Sequence, residues 1–409
     1  MFKLWKIAYR DLGRNRRRSV LTMAAVALGL ALVLVLASLS RGAIEAALKN
    51  SIRLDTGHVQ VRAASYDAEK VSLAWEDLLD DPQEFAARAQ ALEGVVAASP
   101  VLWASGILET RDQTISVKVV GIDPLSEAYA PFREGLVAGK FLAPDDRSGL
   151  LVGQRLAHNL GLAVGGRVSL LANTADGQPD EAVFAIRGLY DTGIPYYDET
   201  TVFLPLAKAQ AFTRTAGRAS AIFILARHKE ATETIAEALR APGLNVLTWR
   251  DLNEIMLQAS AMSASILNLM NLVVLAVVAI VIANTLLMSV FERTREMGIL
   301  AALGMKGRQI LLMVLLEAGM LGLAGIVLGL LVGGLSVAYF ATAGLYVGAE
   351  VTSTATSAIL AYGDTIYARF SLPDAASSAI AALAITLLAS LYPAWLAARM
   401  EPIEALRAL

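Results

Sequence analysis

The chain has 409 residues, 56% hydrophobic and 18% charged, with a mean hydropathy of +0.54 and a formal net charge of -2. An ordinary soluble domain carries about 25% charged residues, so this composition excludes a conventional globular protein. The absence of cysteine makes the fold indifferent to redox conditions, and the net charge averages over compartments that must be read separately.

Residues 1–18 open the chain as an amphipathic segment. Trp5, Ala8, Tyr9 and Leu12 fall at helical spacing with Lys6, Arg10 and Arg14 on another face, a pattern suited equally to a headgroup layer and to a solvated basic flank. Charge-free apolar stretches follow at 20–40, 261–291, 318–349 and 375–398. Each is long enough to cross a bilayer, since about 20 residues at 1.5 Å rise cover a hydrocarbon core of about 30 Å. Arg16, Arg17 and Arg18 before the first stretch resemble a secretory signal, but the apolar run from Val20 to Ser40 is longer than a signal core, which predicts an uncleaved anchor.

Orientation follows from Lys and Arg near the span ends. Basic residues dominate before span one and in the turn holding Arg293, Arg295, Lys306 and Arg308, whereas the segment between spans three and four has Arg369 against Glu350, Asp364 and Asp374. Both termini are therefore expected in the cytoplasm. The expected organisation is a cytoplasmic segment 1–18, span one 19–42, an external domain 43–260, span two 261–291, a cytoplasmic helix 292–308, span three 309–345, an external loop 346–373, span four 374–398 and a cytoplasmic tail 399–409.

The external domain reads as mixed α/β. Strands are predicted over Gly57–Arg62, Ser116–Ile122, Arg167–Leu171, Thr201–Leu204 and Ala221–Leu225, and helices over Pro82–Leu92 and Lys229–Leu239. Asp251–Gln258 starts a helix expected to run on into span two. Helical extensions of spans one and two would form a stalk that carries motion in the membrane to the outer domain. Span three has glycines at 319, 322, 325, 329 and 333 on one face, which predicts close packing against alanine-rich span four. Glu317 near its cytoplasmic end calls for a basic partner on a neighbouring span or in the amphipathic opening, Pro393 predicts a fixed bend in span four, and Tyr362–Phe370 reads as a short helix or strand.

Enzymatic motifs are missing. No Gly-x-x-x-x-Gly-Lys-Ser/Thr loop occurs, so this sequence cradles no nucleotide in the P-loop manner, and neither a His-Glu-x-x-His nor a Gly-x-Ser-x-Gly pattern is present. His58, His158 and His228 are scattered, and no metal, catalytic residue or cofactor is expected in the chain itself. The most specific local pattern is the charged turn from Phe291 to Met305, in which Met297, Leu300, Ala301 and Gly304 recur at helical spacing as a docking face for a partner.

The block ERTREMGILAALGMKGRQI, the terminus YPAWLAARMEPIEAL and the opening AYRDLGRNRRRSVLT resemble the FtsX/MacB-type permeases, ABC transporters also called mechanotransmission or type VII transporters. The stretches TGHVQVRAASYD and LVGQRLAHNLGLAVGGRVSLL are most similar to the lipoprotein-releasing, LolC/LolE-like branch. That resemblance covers the whole chain. It implies an α-helical membrane protein with four transmembrane helices and a periplasmic α/β domain of porter-like fold, with a smaller β-rich subdomain inserted within residues 124–215. It further implies a bacterial inner-membrane permease that pairs with itself or a related chain and docks on a cytoplasmic ABC ATPase dimer, where ATP and Mg are bound. Glu292, Arg293, Arg295, Glu296, Met297, Gly298, Leu300, Ala301 and Gly304 would form the coupling helix. Leu28, Leu32, Val35 and Leu39 of span one with Leu267, Met270, Val274 and Val277 of span two would line a cavity for acyl chains. The implied function is extraction of lipoproteins from the outer leaflet, with membrane lipids and a periplasmic carrier as further partners and no nucleic acid. Drug or peptide efflux through a periplasmic adaptor, and non-transporting control of a cell-wall hydrolase, are the alternatives in the same family.

Overall fold

A backbone in hydrocarbon must satisfy its own polar groups, and the four apolar stretches do so as helices. In the computed structural model, which describes residues 16–68, 70–110, 113–348 and 363–399, helices long and apolar enough to cross a membrane are Arg16–Ser51, Glu254–Glu292, Gly307–Thr342 and Leu372–Ala398. Most of the amphipathic opening and residues 400–409 of the C-terminal signature lie outside the described residues, as do residues 349–362 of the external loop. The chain forms two compact units, a helical one of Met1–Ala43, Ser260–Leu345 and Ile366–Leu409, and an α/β one of Ile44–Ala259 and Tyr346–Thr365.

Within the helical unit, span three is the hub. Half of its most apolar window is buried in the protein, against 11% for span two. Its glycine stripe serves two neighbours at different heights. Gly319 and Gly322 face Leu387 and Thr386 of span four, whereas a methyl group built on Gly325, Gly329 or Gly333 would come 2.7, 2.9 or 3.0 Å from Val26, Ala27 or Ala31 of span one. The expectation that the whole stripe seats span four is corrected accordingly: periodicity identifies the small face, but not which helix crosses it at each level. Span four remains one helix through Pro393. The end of span one is held by the chain that leads into span four, through Arg369 N–H donating to Ser38 O at 2.9 Å and Arg41 paired with Asp374 at 2.5 Å.

Ten strands are described in the large sheet of the α/β unit: β1 (Val59–Ala63), β2 (Val95–Glu109), β3 (Thr114–Ile122), β4 (Leu136–Gly139), β5 (Gly149–Gly153), β6 (Arg167–Asn173), β7 (Pro179–Tyr190), β8 (Thr201–Pro205), β9 (Ala221–Ala226) and β10 (Leu244–Thr248). The order β10-β1-β9-β2 is antiparallel throughout. Helices Pro82–Gln90 and Thr232–Leu239 bury Ala86, Ala89, Ile235 and Leu239 in the same apolar cluster as Val59, Val61, Ile222 and Ile224 of the strands. Taken in chain order this is a β-α-β-β-α-β unit, interrupted between its second and third strands.

The interruption is a closed barrel. From β2 the pairing runs through β3, β8, β5, β7 and β6 and returns to β2, and closure removes exposed strand edges. Leu108, Leu150, Leu170, Phe184 and Leu204 belong to its core. The fifteen-residue β2 belongs to both parts, pairing with β9 up to Val101 and with β3 from Leu102 onward. The inserted subdomain therefore starts at Leu102 rather than inside 124–215. Pro100 and Gly106 conceal this strand in the sequence, because both residues are depleted in strand interiors.

Entry and exit of this unit lie side by side. The first residue of β1, Val59, is paired with the last residue of β10, Thr248. Ahead of β1, Ser51 Oγ donates to Asn253 Oδ1 at 2.5 Å, and Asn253 Nδ2 donates to the Trp249 carbonyl at 2.8 Å. Asn253 also ends the short helix Trp249–Leu252, so the predicted continuous run from Asp251 into span two is broken there before Glu254–Glu292 begins. The external loop returns two residues, Thr365–Ile366, as a strand paired with Leu345–Tyr346, and Arg155 holds Asp364 at 2.5 Å. Of the predicted strand or helix over Tyr362–Phe370, Tyr362 lies outside the described residues.

One buried carboxyl gives the α/β unit a pH dependence. Asp198 is fully buried; its Oδ1 accepts from Thr192 N–H at 2.9 Å and Thr192 Oγ1 at 2.8 Å, while Oδ2 has no hydrogen-bond partner among the described residues. Burial pushes this carboxyl up to about 7, with Asp191 adding to the rise and the Thr192 donors opposing it. A raised carboxyl favours the folded state where it is protonated, so its destabilising effect grows from about pH 4 and is complete above about pH 7. Asp198→Asn is expected to raise the melting temperature of the purified protein at pH 8 and to change it little at pH 4. Equal shifts at both pH values would contradict the assignment.

Candidate functional site

The charged turn after span two is a built structure. Thr294–Ala302 forms a helix between spans two and three, shorter than the expected segment 292–308. Arg293 sits at its N-cap position, with its backbone at φ -110°. Its guanidinium is almost completely buried, where Nη1 lies 3.5 Å from Glu317 Oε2 of span three and Nε lies 3.1 Å from Glu296 Oε2. A basic partner for Glu317 is thus supplied by the turn, a source beyond the neighbouring span and the amphipathic opening that the sequence suggests. At the other end Gly304 takes φ +91°, Met305 N–H donates to Leu300 O at 3.1 Å and Gly304 N–H donates to Ala301 O at 3.0 Å. This is a Schellman cap, which places glycine in the left-handed region.

The two faces of this helix are reversed relative to the expected docking face. Met297 and Gly298 are buried, and Met297 packs with Val290, Ile310, Val314, Ala394 and Ala397, while Ala301 rests on the same cluster. Leu300 is half-buried, and Gly304 acts as the cap. Solvent instead meets Phe291, Glu292, Arg295, Ile299, Ala302 and Leu303, the last 80% exposed. Met297 and Ala301 share the i, i+4 spacing of an anchoring face, and sequence periodicity alone does not say whether that face anchors to the protein's own bundle or to a partner.

The candidate cavity residues divide similarly. Leu28, Leu32, Met270 and Val277 are exposed, from 49% to 65%, while Val35, Leu39, Leu267 and Val274 are half-buried. Val274 is packed at the contact of the two spans, where a methyl group on Gly29 would meet it at 3.3 Å and Val278 at 2.9 Å. The exposed four are apolar side chains left uncovered on this chain. Span two also carries Asn268 and Asn284, both exposed within the apolar run. A search for charges passes over these amides, although an amide in a lipid-length stretch calls for a polar neighbour.

Four spans, an α/β domain between the first two and a short helix tied between the second and third define a membrane permease. The FtsX-like permease C-terminal family matches residues 268–402, and the MacB-like periplasmic core domain family matches residues 19–241. The chain belongs to the FtsX/MacB-type permease family, and it is an ABC transporter permease component with an extracellular domain, which implies an ATPase partner. The lipoprotein-releasing system transmembrane protein LolC of Neisseria meningitidis serogroup B is 24% identical over 96% of this chain and 95% of its own length. The macrolide export ATP-binding/permease protein MacB of Sodalis glossinidius is 26% identical over 98% of this chain, which spans 60% of that relative. Among solved structures, the periplasmic region of MacB from Actinobacillus actinomycetemcomitans aligns with 51% of this chain and 97% of its own, at 12% identity and a TM-score of 0.36.

The buried ion pair sets a test. Removing one member of such a pair strands the other charge and costs about 3–5 kcal/mol, whereas replacing both by apolar groups costs far less. Arg293→Met, which takes the guanidinium away from the buried Glu317, is expected to lower the melting temperature of the detergent-solubilised protein sharply, and Arg293→Met with Glu317→Leu to recover most of the loss. A double variant as unstable as the sum of the two single ones would show that the charges do not depend on each other.

Proposed function

We propose that this protein is the permease subunit of a transporter that extracts lipoproteins from the outer leaflet of the bacterial inner membrane, driven by a separate ATPase. The observation that carries the reading is the alignment with a LolC protein over nearly the full length of both chains. The large domain lies in the periplasm and both termini in the cytoplasm, as the excess of Lys and Arg before span one and after span two supports. Two permeases pair, as identical or related chains. The largely exposed second span, with Asn268 and Asn284 on its surface, supports pairing because a second chain would satisfy those amides. Leu28, Leu32, Met270 and Val277 would then line the space that receives the acyl chains, with Val35, Leu39 and Leu267 beside them. Withdrawing an acyl chain exposes about 0.8 kcal/mol of hydrophobic free energy per CH₂, a reason to couple release to ATP.

The ATPase docks on the exposed face of Thr294–Ala302. An apolar tip at Ile299 and Leu303, flanked by Glu292 and Arg295, fits a groove with an apolar floor and charged rim. Ile299→Asp with Leu303→Asp is expected to abolish co-purification of the ATPase while membrane insertion stays normal. Undiminished co-purification would remove the assignment.

A similarity to MacB, 26% over 98% of this chain, favours efflux through a periplasmic adaptor as the second reading. Reconstitution with the cognate ATPase and a labelled lipoprotein in liposomes separates the two. ATP-dependent appearance of lipoprotein on a soluble acceptor is the expected result, and its absence, with ATPase activity intact, would overturn the lipoprotein reading.

A further inference from the structure

The α/β unit contains a cavity of about 400 Å³ where the chain turns from the helix Arg16–Ser51 into the sheet. The turn itself is unusual. Ile52–Thr56 closes a π-helical turn, with Gly57 N–H donating to Ile52 O at 2.9 Å, and π-turns are frequent at functional sites. Gly57 takes φ +66°, and a side chain there would meet the Ile224 carbonyl. The next residue, His58, is fixed in three ways. Its N–H donates to Ile224 O at 2.8 Å, its carbonyl accepts from Trp249 N–H at 2.9 Å, and its ring Nδ1 accepts from Ala226 N–H at 3.2 Å. With Nδ1 used as an acceptor, the neutral ring carries its proton on Nε2. Burial, aided by Lys229, holds the imidazole below its ordinary value and so neutral.

The charges around this cavity do not cancel. Glu134 has Arg53 at 4.0 Å and Glu127 has Arg133 at 3.5 Å. Among the described residues Lys49 and Lys229, which line the cavity with His58, take part in no ion pair, and Lys229 lies over the Trp249 ring at 5.3 Å. The β-bulge between Val95 and Ala97 breaks the ladder with β9 and leaves Val96 exposed in the lining. The volume falls within the range of small-molecule sites, about 300–1,000 Å³, and the lining combines apolar surface with a few fixed polar groups.

We propose that this cavity binds a phosphate-bearing ligand, with Lys49, Lys229 and the Nε2–H of His58 holding the phosphate while Ile52, Val96 and Leu225 receive its aliphatic part. Lysine ammonium groups serve phosphate as point charges, and the imidazole adds a directed donor. The phosphate can belong to a phospholipid headgroup or to a soluble phosphate ester. The site does not depend on the identity of the transported cargo.

The full-length permease in phosphatidylcholine nanodiscs is titrated by calorimetry with glycerol 3-phosphate and, separately, with dihexanoyl phosphatidylglycerol. Saturable binding of at least one is expected. Binding of the lipid alone assigns a headgroup site, and binding of glycerol 3-phosphate assigns a site for soluble esters as well. Lys49→Gln with Lys229→Gln should weaken binding about tenfold or more, while Lys49→Arg with Lys229→Arg should retain it, which separates charge from folding. No saturable binding of either probe, or equal affinity in the Gln variant, overturns the proposal.

Discussion

The pairing of Arg293 with Glu317 fixes how the helical unit is assembled at its charged end. Both side chains are almost completely buried, and neither tolerates that environment without an opposite charge. Because Arg293 stands at the first turn of the short helix and Glu317 lies within span three, the pair sets the position of that helix against the bundle. Met297 and Ala301 then fall into the cluster of Val290, Ile310, Val314 and Ala394, and the opposite face is left exposed. The Schellman cap at Gly304 completes the same element by turning the chain into span three. A partner that moves this helix therefore moves span three with it, and span three carries contacts to both span one and span four.

Much of this was legible in the sequence, and what was not has identifiable physical causes. Apolar length locates the spans because a lipid-crossing helix has few alternatives. The turn stands out for its charge, and Glu317 for the cost of burying it alone. Facing is harder to read: Met297 and Ala301 have the right spacing for a docking surface, and only the structure shows that the protein's own spans occupy that side. The glycine stripe is a similar case, since small residues mark a close approach without naming the neighbour. In the α/β domain, strands with plain β-rich runs such as β3, β6 and β9 are readable, whereas β2 conceals its length behind Pro100 and Gly106. The barrel closes through the β2–β6 and β5–β7 pairs, whose partners are remote in sequence and which no local pattern encodes. Asn268 and Asn284 escape notice because an uncharged amide barely disturbs an apolar run.

The α/β domain follows from one insertion into a regular unit. The β-α-β-β-α-β arrangement brings its first and last strands together, so β1 and β10 are neighbours even though almost 200 residues separate them. Inserting the barrel between β2 and β9 leaves that adjacency untouched, because the extra strands extend the far half of β2 and close on themselves. A chain can thus enlarge the barrel without altering the paired ends of β1 and β10.

That adjacency continues into the residues just outside the sheet. The helices that continue into spans one and two begin where Ser51 and Asn253 bond to each other, a few residues from the paired ends of β1 and β10. With Thr56 also within reach of Asn253 at 3.3 Å, the base of the domain is a single hydrogen-bonded joint rather than two independent linkers.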